Sequence, residues 1–231
     1  MKLLALDTST EYLTLALSLD GEMHTRELHA GQTHSQRILP LLRELLDESA
    51  IELTQLDGIA FGAGPGSFTG LRIGCGVAQG LAFGANLPVV GVCTLQALAE
   101  ASGSDKVIAC LDARMGEVYH AVYLRQAGVW QEVLAPGLYK PEAVPGVEGE
   151  GWIGAGSGWK AYAEILGDIH AGHLTHTFPD AYPHAAAIAQ LAISAFAAGQ
   201  GKPAAEAAPI YVRNKVALKT SEREAGMKLG V

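Results

Sequence analysis

KLLALDTSTEYLTLALSLDG, residues 2–21, holds the pattern that decides the fold. Lys2–Leu6 is an apolar run dense enough for a buried strand, and Asp7-Thr8-Ser9-Thr10 is a polar turn. Leu13–Leu19 alternates apolar with small polar residues, as a half-buried strand does. Asp20-Gly21 is a hairpin signal, and Glu22–His29 can form a third strand. The same opening recurs in the second half. Placing Leu6-Asp7 over Leu111-Asp112 brings Leu13–Leu19 onto Val118–Leu124 without a gap. A duplicated strand, Asp turn and strand, each copy followed by mixed helices and strands, predicts an α/β protein of two similar lobes. Gly103-Ser104 marks the boundary. The expected division is an N-terminal lobe over 1–103, a C-terminal lobe over 104–218 whose last helices can pack back on the first, and a flexible tail over 219–231.

Thr33 to Ser49 is predicted helical, with Ile38, Leu41, Leu42, Leu45 and Leu46 forming one apolar stripe. Pro40 is expected to kink this helix or to delay its first turn. Asp57–Ala63 is a strand that runs into Gly62-Ala63-Gly64-Pro65-Gly66, after which Ser67 caps a helix reaching about Gly84. A strand over Leu87–Val92 and a short helix over Thr94–Ser102 complete the half. Later come strand-like Val129–Leu134, then Trp152-Ile153 leading through Gly154–Gly158 to a helix ending at Leu166. An alanine-rich helix over Ala185–Ala198 and a linker over Pro203–Pro209 follow.

The 231 residues are 49% hydrophobic and 17% charged, with a formal net charge of −8. Phosphate contacts supply most nucleic-acid affinity, so unaided RNA gripping is not expected of so acidic a chain. One local exception exists: Arg213, Lys215, Lys219, Arg223 and Lys228 stand against Glu222 and Glu224, as a solvated tail or an auxiliary contact to RNA or an acidic partner. Cys75, Cys93 and Cys110 are scattered and odd in number, which fits reduced thiols. Asp7 interrupts the N-terminal apolar run, and no run has the length of a membrane span; a cytoplasmic protein is expected.

Several stretches could carry chemistry. An Asp-Thr-Ser-Thr turn after a first strand can meet nucleotide phosphates or their metal, and it can equally be an ordinary hairpin turn. The second copy offers Ala113, Arg114 and Met115 instead, a degraded version. Gly62–Gly66 opens a helix, as anion-binding loops do. It lacks the Lys-Ser/Thr of a P-loop, and Gly66-Ser67-Phe68-Thr69-Gly70 is not a nucleophile elbow. Within the helix, Gly70 and Gly74 lie four apart, as do Gly76, Gly80 and Gly84, and with Ile73, Val77 and Leu81 they cover about half the circumference. Each interior glycine costs roughly 0.5–1 kcal/mol against alanine, so close approach of another backbone, internal or from a partner, is expected in return. His170, His173 and His176 invite a zinc site, but no second cluster completes one and no metal is expected. Gly154–Gly158 reads as a tight turn before a weak phosphate-binding one.

LLALDTST, HSQRILP, GPGSFTGLRIG running into VAQGLAF, LDARMGEVY and PIYVRNKVA together resemble the TsaB (YeaZ) family of tRNA threonylcarbamoyladenosine biosynthesis, over nearly the whole chain and in the family's order. The resemblance implies the actin-like ATPase (ribonuclease H-like) fold, with each lobe a mixed sheet flanked by helices. It implies a non-catalytic partner of TsaD, the transferase that moves threonylcarbamoyl from its adenylate to the adenosine beside the anticodon, with the ATPase TsaE completing the complex. ATP and metal then belong to the partner complex, this chain holds no cofactor, tRNA is met only through the complex, and the chain alone forms a homodimer. TsaD's two metal-binding histidines correspond here to Thr94 and Leu98, of which leucine cannot ligate and threonine does so poorly.

The interface residues expected on this basis are Ile38, Leu42, Leu45, Gly70, Ile73, Gly74, Val77 and Leu81. A vestigial nucleotide site would comprise Asp7, Thr8, Ser9 and Thr10. The alternatives are a nucleotide-dependent kinase or ATPase using that turn and Gly154–Gly158, and a protease acting on a partner, for which no nucleophile–base pair is evident.

Overall fold

In the computed structural model the structure describes residues 1–213. Strands β1 (Lys2–Asp7), β2 (Tyr12–Leu19) and β3 (Glu22–His29) precede helix α1 (His34–Glu48), β4 (Gly58–Gly64), α2 (Phe68–Ala85), β5 (Val89–Cys93) and α3 (Thr94–Ala101). The second half holds β6 (Lys106–Asp112), β7 (Val118–Gln126), β8 (Val129–Tyr139), β9 (Trp152–Ala155), α4 (Gly158–Ala161), α5 (Ala163–Ile169), β10 (Leu174–Phe178) and α6 (Ala185–Ala197). The first sheet has the order β3-β2-β1-β4-β5 and the second β10-β9-β6-β7-β8. In each, the first three strands form an antiparallel meander and the last two add in parallel on the other side. The repeat found in one hairpin therefore extends to two whole sheets of identical strand order, the actin-like duplication.

β1 reads as one apolar run because both its faces are covered. Leu4 and Leu6 join Ile38, Leu42 and Leu45 of α1 and Ala78 and Ala82 of α2. Leu3 and Ala5 face the other way, onto Ala185, Ile188, Ala189 and Ala192 of α6. The second sheet is covered likewise: Val107, Ala109 and Leu111 pack on Leu95, Leu98 and Ala99 of α3, and Ile108 and Cys110 pack with Trp159 and Leu166. The helices at the ends of the two halves are thus exchanged. α3 follows the first sheet in sequence and buries its leucines under the second, while α6 follows the second sheet and seals the first.

Local signals account for most element ends. Ser67 caps α2 by accepting from the Gly70 amide, and Asn86 closes the helix in the left-handed conformation at φ 54°. Helix α1 begins at His34 and runs continuously through Pro40, so the expected late first turn is not formed. The region expected as one helix up to Leu166 is two short helices, broken at Tyr162. The stretch holding His173 and His176 is the edge strand β10 and its approach, paired in parallel with β9. It escaped notice because polar residues interrupt its alternation. Among the described residues no helix is long and apolar enough to cross a membrane.

Candidate functional site

Two features stand apart from the core: the cleft between the lobes and the outer face of α2. The cleft encloses about 810 Å³ and lies where the turns of the two duplicated hairpins meet the start of α2 and the start of α4. Ser9, Thr10, Ser67 and Thr69 line it from the first lobe, and Asp112, Arg114 and Ser157 from the second. Its cations are occupied. Arg114 pairs with Glu11 at 2.9 Å and Asp112 at 3.1 Å, Arg213 with Glu117 at 2.7 Å, and Lys160 with Asp180 at 2.7 Å. Among the described residues, no cleft cation is left without a carboxylate to meet a phosphate.

Of the four residues expected at a vestigial nucleotide site, Ser9 and Thr10 line the cleft while Asp7 and Thr8 lie beneath it. Asp7 is 1% exposed. Its Oδ1 accepts from the Ser9 amide at 3.0 Å and the Ser9 hydroxyl at 2.8 Å, and its Oδ2 has no partner among the described residues. Gly62 leaves the room for that oxygen, since a Cβ there would sit 1.8 Å from it. Burial pushes the Asp7 carboxyl up to about 6, against the pull of the two Ser9 hydrogen bonds. Its folded value thus lies above its unfolded one. The stabilising neutral form is fully present below the unfolded value near 3.8 and is lost as pH rises through 6. Asp7→Asn, which cannot ionise, is expected to remove this loss. Against pH 4, the wild-type chain should lose about 2 kcal/mol more than the variant by pH 7, read from urea unfolding at the two pH values; parallel losses would refute the assignment.

Thr8 is turned the other way, onto α2, where its hydroxyl donates to the Gly70 carbonyl at 2.7 Å. This explains half of the glycine stripe. A Cβ on Gly70 would lie 1.9 Å from the Thr8 carbonyl oxygen, one on Gly66 2.6 Å from that of Ser9, and one on Gly74 2.5 Å from the Thr8 hydroxyl. Gly70 and Gly74, expected at a partner interface, are therefore corrected to internal contacts: they let the first hairpin turn lie directly on the helix. Ile38, Leu42 and Leu45 are corrected too. They are 1%, 4% and 1% exposed, because the apolar stripe of α1 covers the chain's own sheet. Ile73, Val77 and Leu81 are half-buried at the margin of the same core.

The other half of the stripe is different. A Cβ on Gly76, Gly80 or Gly84 would meet none of the described residues within 4 Å. On the same face Phe83 is 80% exposed, and on neighbouring α1 Leu39 is 52% exposed. Phe83 was missed by pattern alone, although its place beside Gly80 and Gly84 was the available signal. An open glycine row beside an uncovered aromatic is the kind of surface on which a second helix can approach closely.

Among the described residues, those that could support other chemistries are not gathered. Thr94, whose hydroxyl bonds the Pro65 carbonyl, and Leu98 are fully buried. The three histidines spaced by three diverge: His170 lies inside the second lobe, His173 bonds the Gly149 carbonyl, and His176 stands against Phe178. Gly154–Gly158 is filled from within the protein, with Trp159 against Gly154, Cys110 against Gly156 and Gly158, and Leu98 of α3 also against Gly156. Of the basic C-terminal residues, Arg213 is held by Glu117 and the Ala113 carbonyl; Lys215, Lys219, Arg223 and Lys228, with the expected tail, lie outside the described residues.

Residues 28–220 match the family model described as TsaD: tRNA N6-adenosine threonylcarbamoyltransferase. The chain is 40% identical over 228 residues to the tRNA threonylcarbamoyladenosine biosynthesis protein TsaB of Escherichia coli, covering 95% of this chain and 97% of that one. It is 40% identical over 233 residues to the protein of the same name from Haemophilus influenzae, covering 95% and 96%. Among solved structures, YeaZ from Pseudomonas aeruginosa superposes with a TM-score of 0.84 at 40% identity, covering 91% of this chain and 99% of that one.

Proposed function

The chain belongs to the TsaB (YeaZ) family, and from that premise we propose that it is the non-catalytic partner of a TsaD-type transferase, docking through the outer faces of α2 and α1. It has a role in tRNA threonylcarbamoyladenosine synthesis. The observation that carries the docking proposal is the open face of α2, where Gly76, Gly80 and Gly84 leave space and Phe83 stands uncovered. Glycines inside a helix weaken it, a cost that close approach of another backbone can offset, and none of the described residues comes that close to these three. The same face would bring two copies together when the transferase is absent.

The state of the cleft supports a non-catalytic role. Its cations are paired, and Asp7 is sealed away from it. Thr94 and Leu98 replace a histidine pair with groups unfit to hold a metal. ATP and metal chemistry are accordingly assigned to the partner complex, and tRNA contact to the assembled complex.

Reconstitution tests this. With purified TsaD, TsaE and the threonylcarbamoyl-adenylate-forming enzyme, modified tRNA should form only when this chain is added. Its Asp7→Ala variant should serve as well as the wild type, and the chain with adenylate and tRNA alone should give no product. Transfer by the isolated chain, or full modification without it, would overturn the proposal.

A further inference from the structure

After α6 the chain returns across both lobes as a strap, residues 207–213. Its first part is fastened to the first lobe. Ala207 packs on the core shared by α1 and α2. The Ile210 amide donates to the Ala63 carbonyl at 2.7 Å, and a Cβ on Gly64 would lie 2.6 Å from the Ile210 carbonyl oxygen, so Gly64 makes room for the strap. The Tyr211 hydroxyl accepts from Nε of Arg72 on α2 at 3.1 Å, and the same guanidinium lies 3.6 Å from the centre of the Phe68 ring. The next two residues engage the other lobe. Val212 packs on the core of the second sheet. Arg213 reaches the β6–β7 turn, where it pairs with Glu117 at 2.7 Å and donates to the Ala113 carbonyl and the Met115 sulfur, each at 3.0 Å.

Local preference does not favour the shape of that turn. Arg114, Met115 and Gly116 stand in succession in the left-handed region, at φ 61°, 58° and 73°. Glycine suits that region, whereas arginine and methionine disfavour it. Strained residues persist where their surroundings over-determine them. We propose that Arg213 supplies this constraint and is an inter-lobe clasp: anchored through the strap on the first lobe, it grips both ends of the β6–β7 turn and fixes the width of the cleft. Lobes with separate cores move against each other unless something ties them. The Arg213 and Glu117 side chains are 9% and 18% exposed, so solvent screens their attraction little. The other link from this turn to the first lobe, Arg114 to Glu11, is 74% and 54% exposed and belongs to a class of ion pair that contributes little. Arg213, Arg114 and Met115 all line the cleft, so release of the clasp frees its mouth on the second-lobe side.

The test measures distances between spin labels carried on non-native residues at Gln32 in the first lobe and Glu164 in the second, both exposed. The full chain is used, diluted with unlabelled chain so that each distance lies within one molecule. The wild type should give one narrow distribution. Arg213→Ala should broaden it by about twofold or more, and Glu117→Gln, a gentler change at the same contact, should broaden it in the same sense. Glu11→Ala should leave it narrow. An unchanged width in either clasp variant, or equal broadening by Glu11→Ala, would overturn the proposal. Hydrogen exchange reads the turn itself. The Glu117 amide donates to the Arg114 carbonyl at 3.1 Å and should exchange roughly tenfold faster in Arg213→Ala. Adding Met115→Asn, which tolerates the left-handed region, should slow that amide again while the lobe distances stay broad. Exchange that ignores Arg213→Ala, or distances that narrow with Met115→Asn, would refute the clasp.

Discussion

Gly80→Leu is expected to abolish capture of a TsaD-type partner while leaving the isolated chain folded and slightly more stable. Gly80 is exposed in the interior of α2, and a Cβ there meets none of the described residues within 4 Å. Leucine is the better helix former by roughly 0.8 kcal/mol, so the monomer should gain stability. Packed helices sit about 8–10 Å apart, a distance set by the side chains at the crossing, and a leucine on the glycine row holds a second helix away. Losing the desolvated centre of such an interface weakens binding by about 3 kcal/mol or more, over a hundredfold. Phe83→Asp attacks the same centre by charge. Calorimetric titration against the partner and a thermal melt of the chain alone check both halves, and sedimentation would show the homodimer lost in parallel. An unchanged affinity would remove the docking face from α2. The sequence pointed instead to Ile73 and Val77 for such tests. Both are half-buried against the chain's own core, so aspartate at either would damage the monomer as well as the interface.

Gly70→Ala, only ten residues earlier on the same helix, should have the opposite effect. Its added methyl would stand 1.9 Å from the Thr8 carbonyl oxygen, a backbone atom that cannot swing aside. Either α2 moves off the sheet or the Asp7–Thr10 turn moves, and the bond from the Thr8 hydroxyl to the Gly70 carbonyl goes with it. Overpacking of this kind costs about 3 kcal/mol. For a chain of this length that lowers the melting temperature by roughly 6–12 °C. Gly76→Ala is the matched control. It faces open space and should raise stability by about 0.5–1 kcal/mol. Equal melting temperatures for the two variants would refute the division of the stripe into an inner and an outer half.

That division shows where legibility ended. The repeat was legible because Leu6-Asp7 and Leu111-Asp112 head identical strand patterns, and pattern survives duplication when side chains diverge. The cap at Ser67 was legible because a helix start needs an oxygen for its free amides. Strand β10 was not, because an edge strand with one wet face carries little hydrophobic signal. The apolar stripe of α1 was legible as a stripe, but periodicity does not say whether a core or a partner covers it. The structure assigns Ile38, Leu42 and Leu45 to the core.

By itself, then, the sequence determined two similar α/β lobes, the opening hairpin of each, and a helix from Ser67 set with glycines four apart. Local propensity and side-chain period are properties of neighbouring residues, and they fix such elements without reference to the rest of the chain. Only the tertiary structure decided that Gly70 and Gly74 meet Thr8 while Gly76, Gly80 and Gly84 face open space, that α3 buries its leucines under the second sheet, and that Asp7 is sealed beneath the cleft. Each of these depends on which element, distant in sequence, lands on a given face. Long-range packing makes that choice, and spacing along the chain does not encode it.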